Sequence, residues 1–319
     1  MSQKPSQKNL SKGIIAMLLA FFFFAIGNAF VKATAATYTI SQILSIRSLT
    51  ILLPLLFYIF VIQKKTTPVA VFRTENLKAH IFRGFLVIVS LWCLFSGFSL
   101  LPLANATVLG FTSVLFMAII SIPFLKEKVT LSQWIAICIG FSGVLIIAYP
   151  GADLSSFVEF GTIFMLVGGL LDGMVLLYPR KMGKTDSVLT ILFYYAFFSL
   201  IFGLCLVGIE GWTPLTSYED LLPLVAIGVF SLLGQFCVTQ AFQYAPAGVL
   251  SPLIYSILLW SALFGYLFWG EIPDMYTLLG AAVLIGSGCY IIYKSHAQAR
   301  LVEEIPLSPE GGLDDTGRR

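Results

Sequence analysis

The sequence predicts an all-α integral membrane protein whose ten transmembrane helices form two inverted repeats of five helices each. Three observations lead to this fold class: an apolar composition, long stretches without charge, and features that recur at a fixed spacing. Hydrophobic residues make up 58% of the chain, charged residues only 11%, and the mean hydropathy is +0.92. So few polar side chains cannot cover a water-soluble globule, and the chain is therefore expected in lipid.

Long uncharged stretches mark the membrane crossings, because a helix needs about 20 apolar residues to span a bilayer. The stretches 84–125 and 221–270 are each long enough for two helices. Leu-Pro-Leu-Ala at 101–104 divides the first and Ala-Pro-Ala-Gly at 245–248 divides the second, since proline interrupts a helix. Lipid offers the backbone no hydrogen-bond partner, so every crossing is predicted to be helical. The ten predicted crossings are 13–31, 41–62, 81–101, 104–125, 131–149, 160–178, 187–208, 221–243, 247–269 and 275–293.

The positions of lysine and arginine predict the orientation, because cytoplasmic loops carry an excess of these residues. Of the 19 Lys and Arg residues, all except Lys32 and Arg47 fall on the loops and tails of one side. That side holds both termini, so the N- and C-termini are predicted to be cytoplasmic. A bacterial inner (plasma) membrane is the expected location of this multi-pass protein. The net charge of +3 then reflects the placement of the loops and indicates no nucleic-acid partner.

Matching features recur at a spacing of 144 positions along the chain. The pairs at this spacing are Glu127 with Glu271, Pro102 with Pro246, and Asn28 with Asp172. Glu127 lies between two lysines, whereas Glu271 has no Lys or Arg near it in the sequence. Two copies of a five-helix unit must enter the membrane in opposite senses, as in many secondary transporters. The predicted division is a cytoplasmic N-terminus (1–12), a first repeat (13–150), a second repeat (151–294) and a disordered cytoplasmic tail (295–319).

Four stretches also carry a family resemblance. They are IRSLTILLPLL at 46–56, RGFLVIVSLWCLFSGFSLLPLANATVLGFTSVLFMAII at 83–120, FLKEKVTLSQWIAICIGFSGVLII at 124–147 and, as a looser match, GEIPDMYTLLGAAVLIGSG at 270–288. These stretches resemble the drug/metabolite transporter superfamily, and within it the EamA-type transporters. The resemblance implies ten helices in two inverted repeats around a central cavity. It implies a substrate among amino acids, nucleosides, vitamins, S-adenosylmethionine or drugs, without choosing one of them.

Charged residues inside the crossings are the first candidates for a substrate site, because a charge at a helix centre costs about 2.5 to 3.5 kcal/mol on insertion scales. Arg47 lies about two turns into the second crossing. Its guanidinium would bind a carboxylate or phosphate, or else link to backbone carbonyls or lipid headgroups near the helix end. Asp172 lies in the middle of the sixth crossing. Its carboxylate would hold a cationic group, pair with Arg47, carry a proton, or bond a neighbouring helix.

Uncharged polar and aromatic residues of other crossings are the remaining candidates. Ser231, Gln235, Thr239 and Gln243 recur at every fourth position of the eighth crossing and so share one helix face. Such a face either lines a cavity or hydrogen-bonds to neighbouring helices. The predicted walls of a mixed aromatic and polar pocket are Asn28, Trp92, Ser96, Thr112, Tyr255 and Trp260.

The sequence gives no pattern for a cofactor, a metal site or ATP-driven pumping. The cysteines stand singly in apolar stretches, both histidines (His80 and His296) are predicted outside the crossings, and no Walker motif is present. A membrane-embedded enzyme would need a clustered acid, base or metal set, and a single buried Asp does not supply one. A non-transporting accessory or flippase-like subunit would fit the same fold.

The function that the sequence favours is secondary active transport of a small polar metabolite, zwitterionic or anionic, such as an amino acid derivative, a nucleoside or a vitamin. Arg47 supports the anionic part of this prediction. The driving force would be a gradient of protons or of the substrate. The expected partners are the substrate and the lipid bilayer.

The predicted topology can be checked with reporter tags. Tags at residue 2 and at residue 319 are expected to report the cytoplasm, and a tag at Asp153 is expected to report the outside, because the Lys- and Arg-rich loops alternate with the others. Accessibility of each tag in intact cells is the measurement. A C-terminal tag on the outside would contradict both the count of ten crossings and the inverted repeat.

Overall fold

The structure is a computed structural model that describes residues 7–62, 71–125, 131–147, 160–182, 185–215, 217–244 and 251–303. Within these ranges the chain forms helices and short connections and no strand, which confirms the all-α class. The α-helices of the described ranges are α1 (Gln7–Thr34), α2 (Ile40–Phe57), α3 (Leu77–Leu100), α4 (Leu103–Gly110), α5 (Thr112–Leu125), α6 (Leu131–Ile147), α7 (Phe160–Met182), α8 (Val188–Glu210), α9 (Tyr218–Tyr244), α10 (Ser256–Trp269) and α11 (Met275–Glu303). A π-helical turn (Tyr58–Ile62) extends α2, and a 3-10 turn (Ser251–Tyr255) precedes α10.

Six of these helices are long and apolar enough to cross a membrane: α1, α2 with its π-helical turn, α3, α7, α8 and α9. Shorter apolar helices occupy Leu103–Met117, Trp134–Gly143, Leu253–Trp269 and Met275–Tyr290. The chain is therefore a multi-pass membrane protein, while the count of ten crossings stays a prediction. One boundary differs from expectation, because α11 continues to Glu303 and enters the segment 295–319 that was predicted to be a disordered tail. Residues 304–319 lie outside the described ranges.

Side chains and one glycine fix several helix ends. The Thr39 hydroxyl accepts the Gln42 amide at 3.4 Å at the start of α2, and the Ser187 hydroxyl accepts the Thr190 amide at 3.1 Å at the start of α8. Gly270 ends α10 with φ +67°, a left-handed conformation that glycine adopts without a steric penalty. This turn folds the chain back on the helix end, where the amide of Glu271 donates to the Gly265 carbonyl at 3.1 Å.

The two most extensive packings each join a helix of the first half to a helix of the second half, α1 with α9 and α3 with α7. In the α3–α7 pair the Ser90 hydroxyl donates to the Gly168 carbonyl at 3.0 Å. In the α1–α9 pair the Phe24 ring lies against Gly234. The two contacts correspond at the spacing of 144, because Phe24 matches Gly168 and Gly234 matches Ser90. Of the pairs named from the sequence, Glu127 and Pro246 lie outside the described residues, whereas Glu271 and Pro102 lie within them.

Glycine contacts hold α6 against α11 in the same way. A methyl group on Gly140 would lie 2.6 Å from the Ser287 hydroxyl oxygen, and one on Gly143 would lie 2.8 Å from the Gly280 carbonyl oxygen. Real side chains do not approach this closely, so the two helices can pack here only because glycine has no Cβ.

Further packings also occur in matched sets. Helix α2 packs on α8, α3 on α8, α9 on α2, α5 on α7, and α10 on α1. The spacing of 144 matches α1 with α7, α2 with α8, α3 with α9 and α5 with α10. Under this matching the α3–α8 pair corresponds to α2–α9, the α5–α7 pair to α1–α10, and the α2–α8 pair to itself. Helix α3 is the most deeply buried of the six long helices, so its polar side chains face other helices more than they face lipid.

An ion pair that the sequence did not predict closes one end of the bundle, named here the Lys32 face. Lys32, at the end of α1, pairs with Glu271 after α10. The Lys32 ammonium also donates to the Leu101 carbonyl at 2.9 Å, and the Glu271 carboxylate accepts the Leu103 amide at 2.8 Å. The acid and its basic partner lie 239 positions apart. Together they connect α1, the α3–α4 connection and the end of α10.

The other end, the His80 face, is held by a carboxylate that precedes α8. One oxygen of Asp186 accepts the hydroxyl of Thr74 at 3.1 Å and the side-chain amide of Asn76 at 3.2 Å, and it lies 3.1 Å from Nε2 of His80. His80 is only 2% exposed. Helix α3 begins at Leu77, one turn earlier than predicted, so His80 belongs to this helix, while its place outside the crossing stays a prediction.

Replacing Glu271 tests the contribution of the Lys32 face to stability. Glu271→Gln is expected to lower the free energy of unfolding by about 1 to 3 kcal/mol, because a charged hydrogen-bond partner is lost. The Lys32 side chain, which is 10% exposed, would keep its charge without a carboxylate beside it. Thermal unfolding of the purified protein in detergent is the measurement.

Glu219→Gln is the matched control, since Glu219 is an exposed carboxylate in the first turn of α9. An equal change in melting temperature for the two variants would show that the ion pair contributes nothing specific.

Candidate functional site

Arg47 lies on α2 where this helix closely approaches α9. A methyl group on Gly228 would lie 2.5 Å from Cβ of Thr50, so the glycine permits the approach. Nε of Arg47 donates to the Ser231 hydroxyl at 3.2 Å. Its two terminal nitrogens lie 3.4 and 3.5 Å from the Tyr195 hydroxyl on α8. The guanidinium therefore bridges α2, α8 and α9 through neutral acceptors, which leave its positive charge uncompensated.

A second arginine, which the sequence analysis assigned to a loop, approaches the same tyrosine. Arg83 on α3 is 9% exposed, and its guanidinium carbon lies 5.3 Å from the centroid of the Tyr195 ring. One terminal nitrogen donates to the Ile191 carbonyl at 3.5 Å, while Nε is buried without a hydrogen-bond partner. Tyr195 thus meets Arg47 at its hydroxyl and Arg83 at its ring face. The predicted crossing 81–101 already contained Arg83, and that boundary was the signal in the sequence that placed this residue in a helix.

Three other predicted site residues meet where the fourth predicted crossing is interrupted, at Phe111 between α4 and α5. The Tyr255 ring packs edge-on against Phe111 with a centroid distance of 4.9 Å. Thr112, the next residue, is fully buried, and Asp172 of α7 hydrogen-bonds to Ser113. Thr112, Asp172 and Tyr255 therefore converge on consecutive positions of one junction. The alternative in which Asp172 pairs with Arg47 is not the observed arrangement, since Arg47 bonds to Ser231 and Tyr195.

Two glycines of α7 allow this convergence. A methyl group on Gly169 would lie 2.5 Å from the Thr112 hydroxyl oxygen, and one on Gly173 would lie 2.9 Å from the Ser113 carbonyl oxygen. The first amides of a helix have no carbonyl partner within it, and its dipole favours negative charge at that end. The Asp172 carboxylate thus lies at the start of α5. An interrupted helix beside a carboxylate is the kind of place where transporters hold polar groups.

The structure assigns Trp92 to a different place from the predicted pocket. The indole N–H of Trp92 donates to the Glu210 carboxylate, which also accepts the Ser41 amide at 3.1 Å. Glu210 ends α8, so this contact belongs to the Lys32 face. Ser96 bonds back to the Trp92 carbonyl at 2.8 Å within α3. Trp92 and Ser96 therefore help to fasten helices at this face, and they do not join Arg47 or Asp172.

The remaining candidates are spread over α1, α9 and α10. Trp260 packs edge-on against Phe22 at a centroid distance of 5.1 Å, and its buried indole N–H has no hydrogen-bond partner. Asn28 is half-buried on α1, and Gln235 is exposed on α9. Thr239 and Gln243 also lie on α9, but their side chains are outside what the structure describes. The structure therefore links the predicted polar face of α9 to Arg47 through Ser231 alone among its described members.

No group of three His, Cys, Asp or Glu side chains that could hold a metal ion occurs in the described residues. Two separate clusters of charged and polar side chains do lie inside the bundle. One is Arg47, Arg83 and Tyr195, and the other is Asp172 with Ser113. The first cluster can attract an anion, and the second can hold a proton or a cationic group.

The chain is similar to several known proteins. The chain is 30% identical over 291 residues to an uncharacterized transporter of Helicobacter pylori, covering 88% of this chain and 94% of the relative. It is 29% identical over 276 residues to the pseudopaline exporter of Pseudomonas aeruginosa, covering 86% and 94%. It is 28% identical over 223 residues to the S-adenosylmethionine uptake transporter of Rickettsia bellii, covering 69% and 74%.

A solved crystal structure has the same fold, with a TM-score of 0.58 at 13% identity, covering 90% of this chain and 98% of the other. The model of the EamA-like transporter family matches this chain twice, at residues 11–149 and 159–294. The family and the named relatives are transporters and not enzymes. Because the two matches cover most of the chain, the protein belongs to the EamA-like transporter family.

Proposed function

We propose that the protein is a secondary active transporter that moves a small polar metabolite, zwitterionic or anionic, across the membrane by alternating access. The observation that carries this proposal is the Arg47 guanidinium, which lies between α2, α8 and α9 with hydroxyl groups as its partners. A charge in a membrane-spanning helix is costly and is kept there for a function or a partner. A substrate carboxylate or phosphate would supply the missing negative charge through a bidentate contact.

Alternating access is supported by the matched packings of the two halves. The α1–α9 and α3–α7 pairs share one register, as two inverted copies of a five-helix unit would, with 13–150 and 151–294 as the repeats. The Lys32–Glu271 pair and the Glu210 contacts fasten the Lys32 face across the two halves. We assign this face to the outside and both termini to the cytoplasm of a bacterial inner membrane, because of the loop charges. Transport would then require the contacts of the Lys32 face to break and re-form.

The direction of transport and the identity of the metabolite are not part of this proposal. One relative is named an exporter and another an uptake transporter, so the family includes both directions. An amino acid derivative, a nucleoside or a vitamin would each present the polar groups that Arg47 and Asp172 can bind. Panels of such metabolites, screened by thermal shift and by uptake into proteoliposomes, would identify the substrate.

Replacing Arg47 tests its contact with the substrate. Arg47→Ala is expected to weaken substrate affinity about 10-fold to 100-fold, because a hydrogen-bonded charge contributes about 1.5 to 3 kcal/mol. Arg47→Lys is expected to restore only part of this affinity, since the ammonium lacks the planar fork of the guanidinium. Concentration-dependent uptake into proteoliposomes is the measurement.

Arg73→Ala is the control for a general loss of positive charge, since Arg73 is exposed before α3. Normal uptake by a well-folded Arg47→Ala variant would return Arg47 to a purely structural role.

Replacing Asp172 separates three roles for its carboxylate. If Asp172 couples protons to transport, Asp172→Asn should abolish gradient-driven accumulation and leave exchange between equal substrate pools intact. If Asp172 holds a cationic group of the substrate, exchange and accumulation should fall together. If it only fastens α7 to Ser113, the melting temperature should fall and transport per folded molecule should not change.

We expect the second result, because no other carboxylate of the described residues lies beside Asp172 to receive a proton. The three roles are distinguished by measuring accumulation, exchange and melting temperature on the same preparation. Intact accumulation at the wild-type melting temperature would exclude all three roles.

A further inference from the structure

Arg47 and Arg83 together form a feature that the proposed transport function does not explain. Their guanidinium groups approach opposite parts of one side chain, the hydroxyl and the ring face of Tyr195. Arg47 comes from α2, Arg83 from α3 and Tyr195 from α8, and Ser231 of α9 completes the group. Helices α2 and α3 belong to the first half of the chain and α8 and α9 to the second, so the cluster spans the boundary between the halves.

The two positive charges have no carboxylate between them. In the part of the chain that the structure describes, ion pairs form between Lys32 and Glu271 and between His80 and Asp186, and neither pair includes these arginines. The Asp186 carboxylate is engaged by Thr74, Asn76 and His80, the last of which lies one turn before Arg83 on α3. Two like charges in a low-dielectric interior oppose each other unless an anion is present.

Arg83 also keeps an unused hydrogen-bond donor. Its side chain is more than nine-tenths buried, and Nε finds no partner. A buried donor without an acceptor is unfavourable, so its retention indicates an acceptor that arrives with a ligand. The ring face of Tyr195 lies against the Arg83 guanidinium in a cation–π contact, which supplies no acceptor for Nε.

We propose that Arg47 and Arg83 form a single binding site for a ligand that carries two negative charges, either two carboxylates or a phosphate group. This inference rests on the proposed transport function, because it names the class of substrate that Arg47 would bind. Each guanidinium would bind one anionic group in a bidentate manner, and Tyr195 would set the distance between them. A ligand with one negative charge would leave one guanidinium uncompensated and would bind more weakly.

The test measures thermal stabilisation of the full chain, purified in detergent, by succinate, inorganic phosphate and propionate. Succinate or phosphate is expected to stabilise the wild-type protein, with propionate at least about 10-fold weaker in affinity. Arg83→Gln and Arg47→Gln are each expected to weaken binding of the divalent anion about 10-fold or more and to remove its advantage over propionate. Arg83→Lys is expected to keep part of the wild-type affinity for the divalent anion.

Lys78→Gln is the matched control, since Lys78 is an exposed cation on α3, the helix that carries Arg83. This variant should bind the anions as the wild type does. Without ligand, Arg83→Gln is expected to melt no lower than the wild type, because an uncompensated buried charge is removed. A lower melting temperature combined with unchanged succinate and phosphate binding would show a structural role and overturn the proposal. Equal affinity of the wild type for propionate and for the divalent anions would also overturn it.

A lipid headgroup is the rival source of the same phosphate chemistry. Stabilisation by phosphatidylglycerol in mixed micelles, with no response to free succinate or phosphate, would assign the two arginines to lipid and exclude the proposed site. Uptake assays distinguish this failure from that of the transport function. If Arg47→Ala impairs uptake of a metabolite while Arg83→Gln does not, transport stands and the two-arginine site falls. If divalent anions bind but no labelled succinate or phosphate enters proteoliposomes, the site stands and transport of these anions falls.

Discussion

Close approach of helices at glycine is the constraint on which the rest of the structure depends. In lipid there is little hydrophobic drive between apolar helices, so association relies on tight packing and on hydrogen bonds between helices. Gly140 and Gly143 supply that packing between α6 and α11, and Gly228 supplies it between α2 and α9. The same approach carries Ser231 to Arg47. A larger side chain at Gly228 would move the guanidinium away from its partners as well as loosening the bundle.

Polar groups fasten the two ends of the bundle in different ways. At the Lys32 face the acids Glu271 and Glu210, from the second half of the chain, receive backbone amides and side chains from the first half. At the His80 face Asp186 links the start of α8 to the start of α3 through Asn76 and His80. Each carboxylate satisfies several donors, which reduces the cost of holding a charge near the membrane. An alternating-access cycle of the proposed kind would have to exchange these bonds for water at one face at a time.

The interior charges contrast with those at the ends. Asp172 has a neutral hydrogen-bond partner in Ser113 at the start of α5. Arg47 and Arg83 have only hydroxyl, carbonyl and aromatic partners. The structure therefore holds its surplus positive charge beside α8 and its negative charge beside α5. A zwitterionic substrate and an anionic one would use these two places differently.

The sequence by itself determined the class of the fold and the separate candidates for function. Composition, uncharged stretches and helix-breaking prolines are local properties, so they predicted an all-α membrane protein and identified Arg47 and Asp172 as charges inside crossings. These signals are readable because each depends on residues a few positions apart.

Only the tertiary structure decided which residues meet. Lys32 joins Glu271 across 239 positions, and no local pattern contains such a pairing. Arg83 was counted with the loop cations although it lies just inside the predicted crossing 81–101, and only the packing of α3 shows that its side chain is buried. Trp92 was expected in the pocket, yet its indole reaches Glu210 at the end of α8. Such contacts depend on the relative placement of whole helices, which is set by packing and not by the sequence near each residue.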